Sequence, residues 1–256
     1  MLRRLRKQII YGFFYLTVLI AAASIVYIYL IKPEPSCFDG IKNQDEVGID
    51  CGGVCVKACL PAGLKPIELA EPILILRPDE SHISLLIKVS NPNSINAARS
   101  FSYKVSLNDE TGKSFWNFDG SSFVYAGEVK YVLIPNSPVE KNKSAKSVDF
   151  KIDKANWVNS SEFTGPPQIS VQGVHTTDQA KSLLVDGVVV NEDTSIFSSV
   201  TIIALFKGGF GQIGGASQTE INNLTLNEAR KFSILHPYIP NADLSGTKIF
   251  VYASRP

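Results

Sequence analysis

The sequence predicts a mainly β protein with one N-terminal transmembrane helix, a small disulfide-rich loop segment and two tandem antiparallel β-sandwiches. Three observations lead there. Ile9 to Ile31 is an unbroken apolar run, all four cysteines fall between Cys37 and Cys59, and the long remainder alternates apolar and polar residues between turn signals.

The run IIYGFFYLTVLIAAASIVYIYLI (9–31) holds no ionisable group apart from tyrosine hydroxyls. At about 1.5 Å per helical residue it matches the roughly 30 Å hydrocarbon core of a bilayer. Arg3, Arg4, Arg6 and Lys7 crowd a basic tail at 1–8, whereas Lys32, Pro33, Glu34 and Pro35 follow the run. That bias predicts a single-pass signal-anchor in the cell membrane, with the N-terminus cytoplasmic and everything after Lys32 extracytoplasmic. Ala21-Ala22-Ala23 offers the small residues of a signal-peptide cleavage site, but apolar character continues to Ile31, past the point where such a region ends.

Net charge is +1, and the three histidines, His82, His175 and His236, are scattered. No basic stripe suggests nucleic acid. The residues after the cysteines suffice for two small domains, and a weak internal repeat favours two. Ile83 to Pro135 lies beside Leu183 to Pro237 at an offset of about a hundred residues. LIKVSNPNS faces VVVNEDTS, FSYKVSLNDETGK faces VTIIALFKGGFGQ, and VKYVLIP faces RKFSILHP. Ile83, Leu85, Ile87 and Val89, then Phe101, Tyr103, Val105 and Leu107, carry the period-two alternation of half-buried strands. Asn91-Pro92-Asn93, Asp109 to Gly112, Asp119-Gly120, Asn136-Ser137-Pro138 and Gly208-Gly209 punctuate them. The expected sandwiches cover 63–160 and 165–256, joined near Asn159 to Pro167, where NSSEFTGPP has linker composition.

The central strand of each copy resembles the Phe-x-Leu-Tyr-Asp signature of FxLYD-type immunoglobulin-like domains, reading Val105-Ser106-Leu107-Asn108-Asp109 and Ile203-Ala204-Leu205-Phe206-Lys207. The first copy lacks both aromatics and the second lacks the acid. The resemblance implies tandem immunoglobulin-like modules of a surface protein without a known active site.

Residues 37–59 resemble a C-x-DG-x-x-N-x-x-E-x-x-x-DCGG-x-C-x-x-C motif that recurs beside anchors or between modules of bacterial surface and secreted proteins. Cys37, Asp39, Gly40, Asn43, Glu46, Asp50, Cys51, Gly52, Gly53, Cys55 and Cys59 carry the match, with one extra residue between the last two cysteines. A segment so short, here the knot at 32–62, has almost no apolar core and needs crosslinks or a metal. In an exported chain Cys37, Cys51, Cys55 and Cys59 read as two disulfides, with three connectivities open. Four thiolates around zinc have the right ligand number, but uneven spacing and an oxidising location weigh against them. Asp39, Asn43, Glu46 and Asp50 supply hard oxygens of the kind calcium gathers, or else face solvent and cap turns.

Gly209-Phe210-Gly211-Gln212-Ile213-Gly214 fits G-x-G-x-x-G, yet ASQTEINNLTL follows and reads as a strand. A nucleotide site needs a helix opening at the third glycine, so a hairpin loop is expected and no nucleotide. Other enzyme signatures are missing, and the sequons at Asn142, Asn159 and Asn223 matter only where glycosylation machinery exists. The expectation is a membrane-anchored surface protein whose sandwiches make structural or adhesive protein contacts. The alternative is an accessory subunit of a cell-envelope assembly for secretion, pili or transport, its helix packed on partner helices through Gly12 and the Ala21 to Ser24 patch.

Overall fold

The computed structural model describes residues 2–27, 36–55, 59, 63–141 and 143–255, and the chain divides into two compact units, Met1–Cys59 and Leu60–Pro256. In the first unit α1 (Leu2–Val26) begins at the basic cluster and runs through the apolar segment. Arg6–Val26 is apolar and long enough to cross a membrane, with mean hydropathy 2.2. Residues 28–31 of the expected span lie outside the described residues. The hydroxyls of Thr17 and Ser24 donate to the carbonyls of Phe14 and Ile20 on their own helix, both at 2.8 Å. These two hydroxyls therefore need no water, which suits a lipid environment.

The second unit is all β. Its first half contains β1 (Glu68–Leu69), β2 (Leu74–Leu76), β3 (His82–Ser90), β4 (Asn96–Asn108), β5 (Ser114–Val124), β6 (Val129–Pro138) and β7 (Ser147–Asn159). Its second half contains β8 (Ile169–Asp178), β9 (Ser182–Asn191), β10 (Phe197–Lys207), β11 (Ile213–Leu224), β12 (Ala229–Pro237) and β13 (Asp243–Ala253). Every pairing is antiparallel. In the first sandwich β3 joins β1, β2 and β6 in one sheet, and β4 sits between β5 and β7 in the other. In the second, β9 lies between β12 and β8, and β10 between β11 and β13. The repeat is thus real at the level of topology, since β3 to β7 correspond in order and pairing to β9 to β13.

The alternation read from the sequence sets each core. Ile83, Leu85, Ile87 and Val89 meet Phe101, Tyr103, Val105 and Leu107 inside the first sandwich. Leu183, Val185 and Val189 meet Val200, Ile202, Ala204 and Phe206 inside the second. The structural partners of Val105 and Leu107 are therefore Ala204 and Phe206. Ile203 and Leu205, the apolar positions of the second signature match, point the opposite way. Trp116 and Trp157 are partly buried against the first core.

Ile203 and Leu205 are nonetheless buried, because the sandwiches are stacked face to face. Leu76, Leu86 and Leu133 of the first pack with Ile203, Leu205 and Ala216 of the second, flanked by Leu74, Tyr131, Ile213, Phe250 and Tyr252. The layers run β5-β4-β7, then β1/β2-β3-β6, then β11-β10-β13, then β12-β9-β8. Strands β3 and β10, buried on both faces, are correspondingly the ones with nearly continuous apolar runs.

The segment with linker composition is also anchored. Phe163, 1% exposed, stacks on Tyr125 with ring centroids 4.4 Å apart, beside Ala97. Its polar neighbours occupy the surface turn, while this one aromatic ties the connection to the first sandwich.

His236 is buried against Phe206, ring centroids 4.8 Å apart, and its Nδ1 shares a hydrogen bond with the Ser217 hydroxyl at 2.8 Å. A Cβ on Gly215 would fall 2.1 Å from Nε2, so glycine makes room for the ring. Burial favours the neutral imidazole and lowers its pKa from 6.5 to about 4. The unfolded chain then takes up the proton first, and the contribution of His236, complete above the unfolded value, drains away as pH falls from 6.5 towards 4. Urea denaturation should show stability falling by up to about 1.4 kcal/mol per pH unit across that window, and His236→Gln should flatten the slope between pH 6 and 5.

Candidate functional site

Sequence points to the knot as the candidate site, and its geometry begins with the crosslinks. Cys37 pairs with Cys55 and Cys51 with Cys59, so no cysteine is free. That chemistry removes the zinc reading, because sulfurs bonded to each other offer no thiolates. Glycine at 53 is required twice over. Its φ is +61°, and a Cβ there would sit 2.0 Å from the Asp45 carbonyl oxygen.

The four oxygen-bearing residues fold into one cluster, and each has protein partners. Glu46, only 5% exposed, accepts from the backbone N–H groups of Asn43 at 3.2 Å and Asp50 at 3.1 Å. Its other oxygen lies 3.1 Å from Cys55 Sγ, a sulfur without a proton. Asp50 accepts from the Gly40 N–H at 3.0 and 3.1 Å. Asp39 takes the N–H groups of Ser36 and Ile41 and the Asn43 side-chain amide, which together hold its carboxyl below the usual range. These side chains do the capping that a coreless loop cannot get from a sheet. Asn43 Oδ1 is the exception, buried and without a hydrogen-bond partner. Cys37, Glu46 and Cys55 also lie close enough to suggest a metal triad, but the disulfide takes both sulfurs.

Glu46→Ala should leave two N–H groups without an acceptor at about 1–3 kcal/mol each. We expect the Cys37–Cys55 bridge to be reduced about tenfold faster or more in that variant, as read by thiol labelling and mass spectrometry.

The seam between the sandwiches is the feature that motifs did not reveal. At one end Tyr125 donates its hydroxyl to the Ala253 carbonyl at 2.9 Å and accepts the Arg255 N–H at 3.0 Å. The Arg255 guanidinium forks onto Asp193 at 2.9 and 2.6 Å and donates to the Gly165 carbonyl at 3.0 Å. That fork holds the Asp193 carboxyl down at about 2. Farther along, the Tyr131 N–H donates to the Tyr252 hydroxyl at 3.0 Å. Lys130 is buried here, its ammonium 3.5 Å from the Phe123 ring centroid and 4.7 Å from that of Tyr252. The available sequence signal was the pair of unbroken apolar runs, Leu85-Leu86-Ile87 and Ile202 to Phe206, which mark strands covered on both faces.

The segment Gly209 to Gly214 forms the turn between β10 and β11 and the start of β11, whose antiparallel pairing brings Ile213 opposite Lys207. No helix opens there.

No protein-family model matches this chain, and no curated protein does. Among solved structures it is similar to the crystal structure of red sea bream transglutaminase, at 10% identity and a TM-score of 0.23, over 72% of this chain and 31% of that one. This chain thus spans about a third of that chain's length. So low a score carries no argument, and the resemblances of the knot and the central strands rest on their residues alone.

Proposed function

We propose that this chain is a single-pass, membrane-anchored surface protein that presents two immunoglobulin-like sandwiches as one rigid body for structural or adhesive contacts with other proteins. The apolar seam carries the reading, because two sandwiches sharing a buried face present their outer surfaces in fixed register. The apolar helix supplies the anchor, and two disulfides within 37–59 suit an oxidising exterior. The N-terminus is then cytoplasmic, so protease added outside intact cells, after any outer membrane is made permeable, digests the region beyond Lys32 and spares an N-terminal tag. Cutting of that tag with protection of a C-terminal one would reverse the orientation.

An accessory role in an envelope assembly has its own support in α1, where Gly12 has open space around it and could receive a neighbouring helix. Crosslinking in intact membranes followed by purification separates the two. Contacts with cell-wall or foreign-surface proteins support display, and a stoichiometric membrane complex supports the accessory subunit.

The knot's oxygen set carries the calcium reading, with Asn43 Oδ1 as the uncommitted ligand. Calorimetry on the oxidised chain should then register calcium binding that Asp50→Ala abolishes. Absence of heat would assign the three carboxylates to backbone capping and Asn43 to its bond with Asp39.

A further inference from the structure

Lys130 is 3% exposed, and among the described residues no carboxylate or carbonyl oxygen accepts a hydrogen bond from its ammonium. Its neighbours are the faces of Phe123 and Tyr252, one ring from each sandwich. Glu128 attracts it from farther off, while that carboxylate is committed to the Tyr125 N–H at 2.8 Å. A largely buried ammonium whose one attracting carboxylate is committed elsewhere favours an anionic partner. The same lysine lines a cleft of about 220 Å³ at the seam. Thr201 and Gln218 line it from the second sandwich. Neither of these two side chains makes a hydrogen bond within the described protein.

We propose that this cleft binds a small organic carboxylate, with Lys130 as its counter-ion and the Thr201 and Gln218 side chains as its orienting partners. One ammonium and no second lysine or arginine line the cleft, which matches a monoanion rather than a doubly charged oxyanion. Leu133 and Ile203 add apolar wall, so the ligand has a short hydrocarbon body. A cleft of this size suits a small molecule. Burial lowers the Lys130 pKa from 10.5 to about 8, which leaves most of the amine charged at neutral pH and an anion able to draw it higher. Because both sandwiches line the cleft, the bound acid also clamps the seam.

The test uses the full chain in detergent micelles with sodium butyrate as the probe, butyramide as its uncharged isostere and sodium phosphate at matched ionic strength. Butyrate should raise the melting temperature saturably by about 2 °C or more, butyramide and phosphate should not, and Lys130→Met should lose the response. A butyrate response that is absent, that butyramide or phosphate reproduces, or that survives in Lys130→Met overturns the proposal. Should Lys130→Met fail to fold, Thr201→Val and Gln218→Ala decide instead. A response weakened about threefold or more in either supports the site, and an undiminished response in both removes it.

Discussion

Leu205→Asp should split the unfolding of the sandwich unit into two separate transitions. Leu205 is 4% exposed and lies among Leu76, Leu86, Leu133 and Ile203, with no cation in that cluster to pair with a carboxylate. Keeping the charge in the closed seam would cost about 3–5 kcal/mol. The cheaper response is for the sandwiches to part and hydrate it, since neither sandwich's own core contains this side chain. Phe206→Ala, one residue along, should behave differently. Phe206 points into the second core, so its loss should cost about 3–5 kcal/mol and lower a single shared transition. Calorimetric scans of the two variants distinguish a residue that joins sandwiches from one that builds a sandwich.

A comparable loss is expected from either of two buried asparagines at equivalent corners. Asn91, 1% exposed, donates to the Asn96 and Tyr125 carbonyls at 2.8 Å and accepts the Asn93 N–H at 3.0 Å. Asn191, fully buried, donates to the Ser195 and Thr225 carbonyls at 2.9 Å and accepts the Asp193 N–H at 3.0 Å. Their backbone N–H groups bond the carbonyls of Glu128 and Glu228, whose carboxylates in turn take the Tyr125 and Thr225 N–H groups. Substituting alanine strands several buried backbone groups at each corner, at about 3 kcal/mol in all, or a fall of roughly 6–12 °C in melting temperature. Asn222→Ala, an exposed position on β11, should stay within about 0.5 kcal/mol of the parent. Equal losses at Asn91 and Asn191 would establish the corner as a unit the repeat has kept.

Alternation made each sandwich's own core legible, because Ile83 to Val89 and Phe101 to Leu107 alternate towards partners in the same repeat. The seam was harder to read, since Leu86 and Leu133 meet Ile203 and Leu205 from the other repeat, far away in the sequence. Composition misled at Phe163, where one aromatic among polar residues and prolines outweighs its neighbours by burying a ring against Tyr125. In the knot, residue types announced crosslinks and hard oxygens, but not that Glu46 turns inward under the Cys37–Cys55 bridge to hold two N–H groups. Pairing of cysteines and direction of carboxylates depend on where the chain's left-handed turns fall, and residue types alone do not specify that.

The stacking of the two sandwiches into one body is tested most directly by small-angle X-ray scattering from residues 63–255. A single compact body of this length has a radius of gyration of about 16–18 Å. Two sandwiches strung end to end, each roughly 40 Å long with strands at about 3.3 Å per residue, would give about 23 Å and a two-lobed distance distribution. The stacked seam predicts the smaller value with a single-peaked distribution, and the larger value with two lobes would contradict it.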